Sequence, residues 1–520
     1  MLNLEIDLAN LTNFYVNDIE IQKPKSARDY NQDLWNLQTI QQKIPGIKWA
    51  DYLQNLVSDD LWHKISVGNE AVINADSPDY FDSLAQLLQK YRPRDIRNYA
   101  IWRLIKYSLP YMSSEYTAAL AKFNSVLYGK NVTATPQADV CLSYLKGNYE
   151  LPNLGFATAE AMLARGYFSV KAKNRAVEMF GQVKSGLTDL ITASTWMDAE
   201  TKAAALFKVK LMDSSIAYPD WILNKTAQQA YYKDLQIPSA SFISLNLMLR
   251  GWAVRKQLTE VAVPLDRAYY KDLQIPSASF ISLNLMLRGW AVRKQLTEVA
   301  VPLDRGAFPG TPMATDAWYT ASTNSLTVPL GELQSPFFGL DFPDAVNFGG
   351  AGAVVGHECS HGFDENGAMF NAYGNETNWW TDSSKRAFED HCNCLINQFN
   401  HYCYPNNIGC VNGNQTIDEN VADLAGIKAA FKAYKKQSTP QYRLAKAPMF
   451  SDDQLFFLSF ASFWCGKDTD GAIQQQLQTD VHTPKKFRVI GTLRNVPEFS
   501  QAFQCSDSSY MNPKEKCSIW

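Results

Sequence analysis

The sequence predicts a mainly α-helical protein with a small β component, folded as two domains. Three observations carry that expectation. The chain has 520 residues, and single hydrophobic cores stop growing near about 250–300 residues. Over roughly the first 200 positions the apolar residues recur at spacings of three and four, the period of an amphipathic helix. After residue 305 the texture changes: glycine, proline, asparagine and aromatic residues become more frequent, and short strand-like runs appear. The expected division is a helical domain over residues 1–305 and a second domain over 306–520.

Taken in chain order, "DSLAQLLQKY", "YAIWRLIKYSLPYM" and "EMFGQVKSGLTDLITASTWMDAETKAAALFKV" read as helices. In the last of these a helix is expected after Thr195, where Trp196, Met197 and Asp198 precede an alanine-rich run of good helix formers. Trp102 and Leu104 are expected in the core. Residues 230–267 recur unchanged as residues 268–305. Solenoids need three or more diverged units, so one identical copy reads as a recent duplication or an assembly error. The extra copy is expected as a helical excursion or a loose surface segment. Beyond it, "SLTVPLG" reads as a short strand beside "DAWY", and "ENVADLAGIKAAFKAYKK" as a helix.

With 49 basic against 52 acidic side chains and no long block of either sign, nothing marks a nucleic-acid footprint or a polybasic membrane patch. No apolar run reaches the roughly 18–20 residues of a bilayer span, and "MLNLEIDLANL" has acids where a signal peptide would be basic. The chain as written is expected to carry no targeting element and to make no membrane contact of its own. Nine cysteines, with sequons at Asn10, Asn131, Asn224, Asn375 and Asn414, point to an oxidising, secretory environment. The odd count leaves at least one thiol unpaired within the chain.

Chemistry concentrates in "VVGHECSHGF". On a helix, His357 and His361 share one face about 5–6 Å apart and can converge on one ion. Catalytic zinc takes three protein ligands and leaves a position for water. Glu358, one step round from His357, can flank that water and accept its proton. In "ENVAD", Glu419 and Asp423 are also four apart; Glu419 can be the third ligand, and Asp423 can accept the remaining N–H of a ligating histidine. Without the two histidines this pair would read as a solvated helix face. In "TDVHTPKKFRVIG", His482 is a candidate for steadying an oxyanion and Arg488 for holding a substrate carbonyl. From spacing alone each is equally a surface charge.

These residues in this order resemble the neprilysin-like family of zinc metallopeptidases, gluzincins whose active domain is similar to thermolysin. The matching blocks are "TWMDAETK", "VPLGELQSPFF", "NFGGAGAVVGHECSHGFDENG", "NWWT", "ENVADLAG", "LFFLSFASFWCG", "TDVHTPKKFRVIGTLRN" and "CSIW". The resemblance implies a two-lobed metallopeptidase ectodomain, residues 1–305 being a truncated helical lobe and 306–520 the thermolysin-like catalytic domain. It implies one zinc ion per chain on His357, His361 and Glu419, with Glu358 as the base. Asp423 is then an outer-shell carboxylate and proton donor, and His482 and Arg488 stabilise the intermediate and anchor substrate. It implies short peptides as substrates, cleaved in a chamber, and an extracellular or cell-surface setting, membrane-anchored or secreted. The alternative function is a catalytically impaired relative that binds peptides as a decoy.

Several features depart from the family. The chain opens inside what looks like the helical lobe, and the absent stretch would supply partners for Cys141, Cys465 and Cys505. The pair expected within the chain is Cys394 with Cys517, and Cys403 with Cys410 could close a local loop. The family's substrate-aligning Asn-Ala pair is here Asp316 and Ala317, and an ionised aspartate only accepts hydrogen bonds. Cys359 takes a usually apolar position and is expected to be a small buried hydrophobe rather than a fourth ligand.

Overall fold

The computed structural model describes residues 2–17, 34–56, 73–74, 78–109, 114–127, 154–232, 308–437 and 447–520, with the single positions 136, 139, 142, 146 and 444. Cys141, Asn131, the Leu104 side chain and nearly all of the duplicated segment lie outside the described residues. The chain divides into two compact units: residues 1–121, 134–154 and 224–304 form one, and residues 122–133, 155–223 and 305–520 the other.

In the first unit, helix Leu2–Asn17 packs on helices Pro78–Gln89 and Pro93–Ser108. Pro93 opens the last of these, where its missing N–H and fixed φ are tolerated. Tyr91 donates to Asp7 at 2.6 Å, and Ile40, Ile44 and Trp49 form a small core with Phe81 against it. Trp102 is not in the core: it is 38% exposed, beside Ile101 at 45%. Neighbouring residues on a helix stand about 100° apart, so two exposed apolar neighbours place that whole sector outside the packed face.

The second unit is where helices and a small sheet meet. Residues 155–223 group with residues 305–520. The cause is non-local packing: helix Val170–Ala193 lies along helix Ile417–Lys435. Gly186 allows it, since a methyl there would strike the Ala429 carbonyl. The next helix starts at Ala199, because Asp198 caps it by accepting from the Thr201 N–H at 2.9 Å. The Asp198 carboxylate also accepts from the Thr381, Ser383 and Ser384 hydroxyls at the start of helix Asp382–Asn400.

The sheet has three strands. Asp213–Ala217 pairs in parallel with Ser325–Pro329, from Asp213 opposite Ser325 to Ala217 opposite Pro329, and Trp318–Thr320 pairs antiparallel on the other side as an edge strand. The C-terminal tail is pinned to the helices by a Cys394–Cys517 disulfide with Cα atoms 5.7 Å apart. Trp196 stacks on Trp380 and Trp520, and Lys428 donates to the Trp520 main-chain oxygen at 2.6 Å. Cys403 and Cys410 are also joined; Cys359 and Cys392 are buried free thiols, Cys465 is exposed and Cys505 half-buried.

The tightest crossing is between helix Ala353–Ser360 and helix Ile417–Lys435. A methyl on Gly356 would collide with the Gly426 carbonyl, and one on Gly426 with the His357 amide. Gly426→Ala is therefore expected to cost at least the ~1–3 kcal/mol of an overpacked core. Thermal unfolding measures it, and an unchanged melting temperature would contradict this account of the crossing.

Candidate functional site

Helix Ala353–Ser360 continues from a short helix, Asp344–Asn347, through a π-type turn, Phe348–Gly352. Gly349 and Gly350 let this turn press against the Phe456 and Phe337 carbonyls. One turn later the two imidazoles meet edge to face, with their Nε2 atoms 3.0 Å apart. Each ring is held from behind at Nδ1: His357 by Asp423 at 2.8 Å, His361 by Asp364 at 2.6 Å. A carboxylate at Nδ1 fixes the tautomer that leaves the Nε2 lone pair for a metal. Asp364 is itself braced by the Gly367 N–H at 2.6 Å.

Helix Ile417–Lys435 brings Glu419 to the same point. One carboxylate oxygen lies 3.2 Å from His357 Nε2 and the other 3.7 Å from His361 Nε2. The first of these oxygens is buried and makes no aligned hydrogen bond. The ligand-type atoms of His357, His361 and Glu419 all fall within 4.8 Å of one another. Two imidazole nitrogens and a carboxylate oxygen converging with no other task suit a divalent cation of zinc type. Cys359, fully buried, is outside this group.

The charges around the point are strongly coupled. Burial alone would lower His357, but the Asp423 and Glu419 carboxylates outweigh it and raise the imidazole to about 10. Burial alone would raise Glu419, but His357, His361 and Arg488 hold it well below the usual carboxylate range. Asp423 is likewise held low against burial by Arg488 and His357. Protons and a metal ion would therefore compete for His357.

One pocket of about 670 Å³ gathers the remaining candidates: Glu358, Asp423, His482, Arg488, Asp316 and Ala317 all line it. Glu358 is buried with one carboxylate oxygen unpartnered, and that burial raises its proton affinity. Arg488 grips Asp423 with two bonds of 2.7 Å and lies 3.8 Å over the Trp464 ring. His482 is half exposed; Asp480 holds its Nδ1 at 2.7 Å, leaving Nε2 3.4 Å from Glu419. Its segment is tied to the Glu419 helix by Thr483 donating to Asn420 and Gln415 donating to the Asp480 carbonyl. Asp316 and Ala317 lead into the edge strand, with the Asp316 carboxylate accepting from the Ala317 N–H at 3.0 Å.

Sequence reasoning missed Asp364, although its place one turn beyond His361 is a usable signal. It also missed Trp464 and Lys208, for which the sequence offers none. Lys208 is buried and donates to the Gly367 and Phe370 carbonyls, bracing the turn that carries Asp364. Asp364→Ala is expected to weaken metal binding about 10–100-fold, as loss of an outer-shell partner does. Competition with a coloured chelator measures this, and an unchanged affinity would remove Asp364 from the site.

Two models of one family, described as peptidase family M13, match residues 1–219 and 316–519. Neprilysin-11 of Caenorhabditis elegans is 30% identical over 100% of this chain and 55% of its own length. Endothelin-converting enzyme 1 of Homo sapiens is 29% identical over 100% of this chain and 60% of its own. Among solved structures, the zinc metalloprotease Zmp1 of Mycobacterium tuberculosis, in complex with inhibitor, aligns with a TM-score of 0.74 at 24% identity. That alignment covers 100% of this chain and 70% of Zmp1. PepO of Lactobacillus rhamnosis aligns at 0.68 and 22% identity, covering 93% of this chain and 66% of PepO. The chain spans between 55% and 66% of the length of the curated relatives named first among its matches. Matched by both models of that family, the chain belongs to peptidase family M13.

Proposed function

We propose that the chain is a zinc-dependent metalloendopeptidase that hydrolyses peptide bonds in short peptides. The observation that carries this reading is the convergence of His357, His361 and Glu419 on one point in a pocket that also holds the buried Glu358. A zinc ion there would supply Lewis acidity to a water and to the scissile carbonyl. Glu358, raised in proton affinity by burial, takes the proton from the attacking water and returns it to the leaving amine. His482, with Nε2 facing the ligand cluster, donates to the developing oxyanion. Asp423 holds the His357 ring, and Arg488 holds Asp423 while offering its remaining face to a substrate carbonyl. The edge strand Trp318–Thr320 gives the peptide backbone a strand to pair with, and Asp316 and Ala317 stand at its start.

The two disulfides and the exposed sequon asparagines Asn224 and Asn375 support an extracellular or cell-surface ectodomain as the setting. Among the described residues no helix is long and apolar enough to cross a membrane. Endoglycosidase treatment of protein from its native source should lower its mass; unmodified asparagines at both positions would count against this setting.

Chelation should abolish cleavage of a fluorogenic peptide, and added zinc should restore it. Glu358→Gln should keep its metal and lose about 10²–10⁴-fold in kcat. Near-normal cleavage by that variant with metal bound would reject the assignment. Stoichiometric zinc with no hydrolysis of any short peptide by the unmodified chain would favour a peptide-binding decoy instead.

A further inference from the structure

Glu332 lies in the turn that follows strand Ser325–Pro329. Its main chain is fixed: the Glu332 N–H donates to Pro329 at 3.1 Å and the Gln334 N–H to the Glu332 carbonyl at 2.8 Å. Gly331 presses the turn onto the Ala314 carbonyl, where a methyl would not fit. The side chain lines the same pocket as Glu358 and Asp316, and the residue is only 5% exposed. No hydrogen bond or salt bridge to its carboxyl occurs among the described residues. Burial, with Asp316 and Glu358 adding to it, raises this carboxyl to about 7.

A buried carboxyl normally has a partner. The pocket's other carboxylates have theirs: Glu419 and Asp423 face imidazoles and Arg488, Asp364 faces His361 and Asp480 faces His482. The pocket's two permanent cations are also committed, Arg488 to Asp423 and Lys485 to Asp468 at 3.0 Å. Glu358 faces the His357 and His361 imidazoles, which leaves Glu332 and Asp316 with no positive charge assigned to them among the described residues. Among the described residues no side chain supplies that partner.

We propose that Glu332, with Asp316, receives a cationic group of the substrate, so that peptides with a lysine or arginine side chain or a free amino terminus near the scissile bond are preferred. This rests on the peptidase reading above. The cation replaces the missing partner of Glu332 at a distance where a charge-assisted hydrogen bond discriminates strongly against a neutral group. A carboxylate wall also repels acidic side chains at that position.

The test uses the zinc-loaded full chain and one neutral peptide that it cleaves. Lysine is placed at successive positions on either side of the cleaved bond and compared with norleucine, with free and acetylated amino termini as a separate arm. At one position lysine should raise kcat/KM about tenfold over norleucine, a size typical of one charge-assisted bond. If the gain instead follows the free terminus and vanishes on acetylation, the amino group is the cation. Glu332→Gln should bring that ratio close to one, and Asp316→Asn, at an exposed position, should lower it in part. No gain at any position, or a gain that survives Glu332→Gln, overturns the proposal. Calorimetric binding of the lysine and norleucine peptides tests the wall independently of turnover. Absence of cleavage with a binding preference retained would fail the peptidase reading alone, and equal affinities would fail this one.

Discussion

The site depends on two helices touching backbone to backbone. Gly356 and Gly426 have no side chains to keep helix Ala353–Ser360 away from helix Ile417–Lys435, and each stands where a single methyl would meet main-chain atoms of the other helix. Gly356 is the residue before His357, and Gly426 is two turns beyond Glu419. The closest approach is thus set beside the ligands themselves. Helices usually pack with axes about 8–10 Å apart. Across this contact Glu419 on one helix reaches His357 on the other, with a carboxylate oxygen 3.2 Å from Nε2. Gly186 repeats the device about one turn further along the same helix, where it meets the Ala429 carbonyl, so the Glu419 helix has two close neighbours. A metal centre assembled from separate segments needs this rigidity, because a shift of about 1 Å is enough to spoil ligand geometry.

Around that crossing, charge is arranged in a line. Arg488 binds Asp423, Asp423 binds His357, and His357 faces Glu419. Every member is largely withdrawn from water, and isolated buried charges are costly. The line is tolerable because each charge has an opposite neighbour at hydrogen-bond distance. Asp423 links the buried ion pair to the His357 ring of the candidate ligand cluster, so the position of that ring is coupled to the position of Arg488. Asp364 gives His361 a similar support from a turn braced by Lys208. The two histidines are thereby oriented by different parts of the chain.

The histidine pair and its glutamate were legible because helix geometry turns a spacing of four into a shared face, and helix Ala353–Ser360 follows that geometry up to His361 at its end. The Glu419 and Asp423 spacing was legible too, but its meeting with the histidines depends on the glycine contact, a long-range fact that no local pattern contains. The sequence places a helix start after Thr195 from the alanine run; the capping carboxylate of Asp198 sets it at Ala199. Trp102 shows the converse. Helical periodicity there gave the right element, but it did not say which sector other elements would cover. The grouping of residues 155–223 with residues 305–520 follows from contacts across hundreds of positions, which no local texture contains. Glu332 carried no signal, because a glutamate after a strand is ordinary until its burial and missing partner are known.

The duplicated stretch falls in sequence between two strands that pair in one sheet. Strands Asp213–Ala217 and Ser325–Pro329 are neighbours in one sheet, and the chain leaves after the first and returns before the second. Both copies, residues 230–267 and 268–305, fall inside that excursion. The ends of the excursion are fixed by the parallel register and by the Leu330 N–H donating to the Ala217 carbonyl at 2.8 Å. That register is set by strand residues that lie outside both copies. The edge strand, the two helices of the candidate ligands and the pocket all lie outside the repeat, and none of the candidate metal ligands falls within either copy.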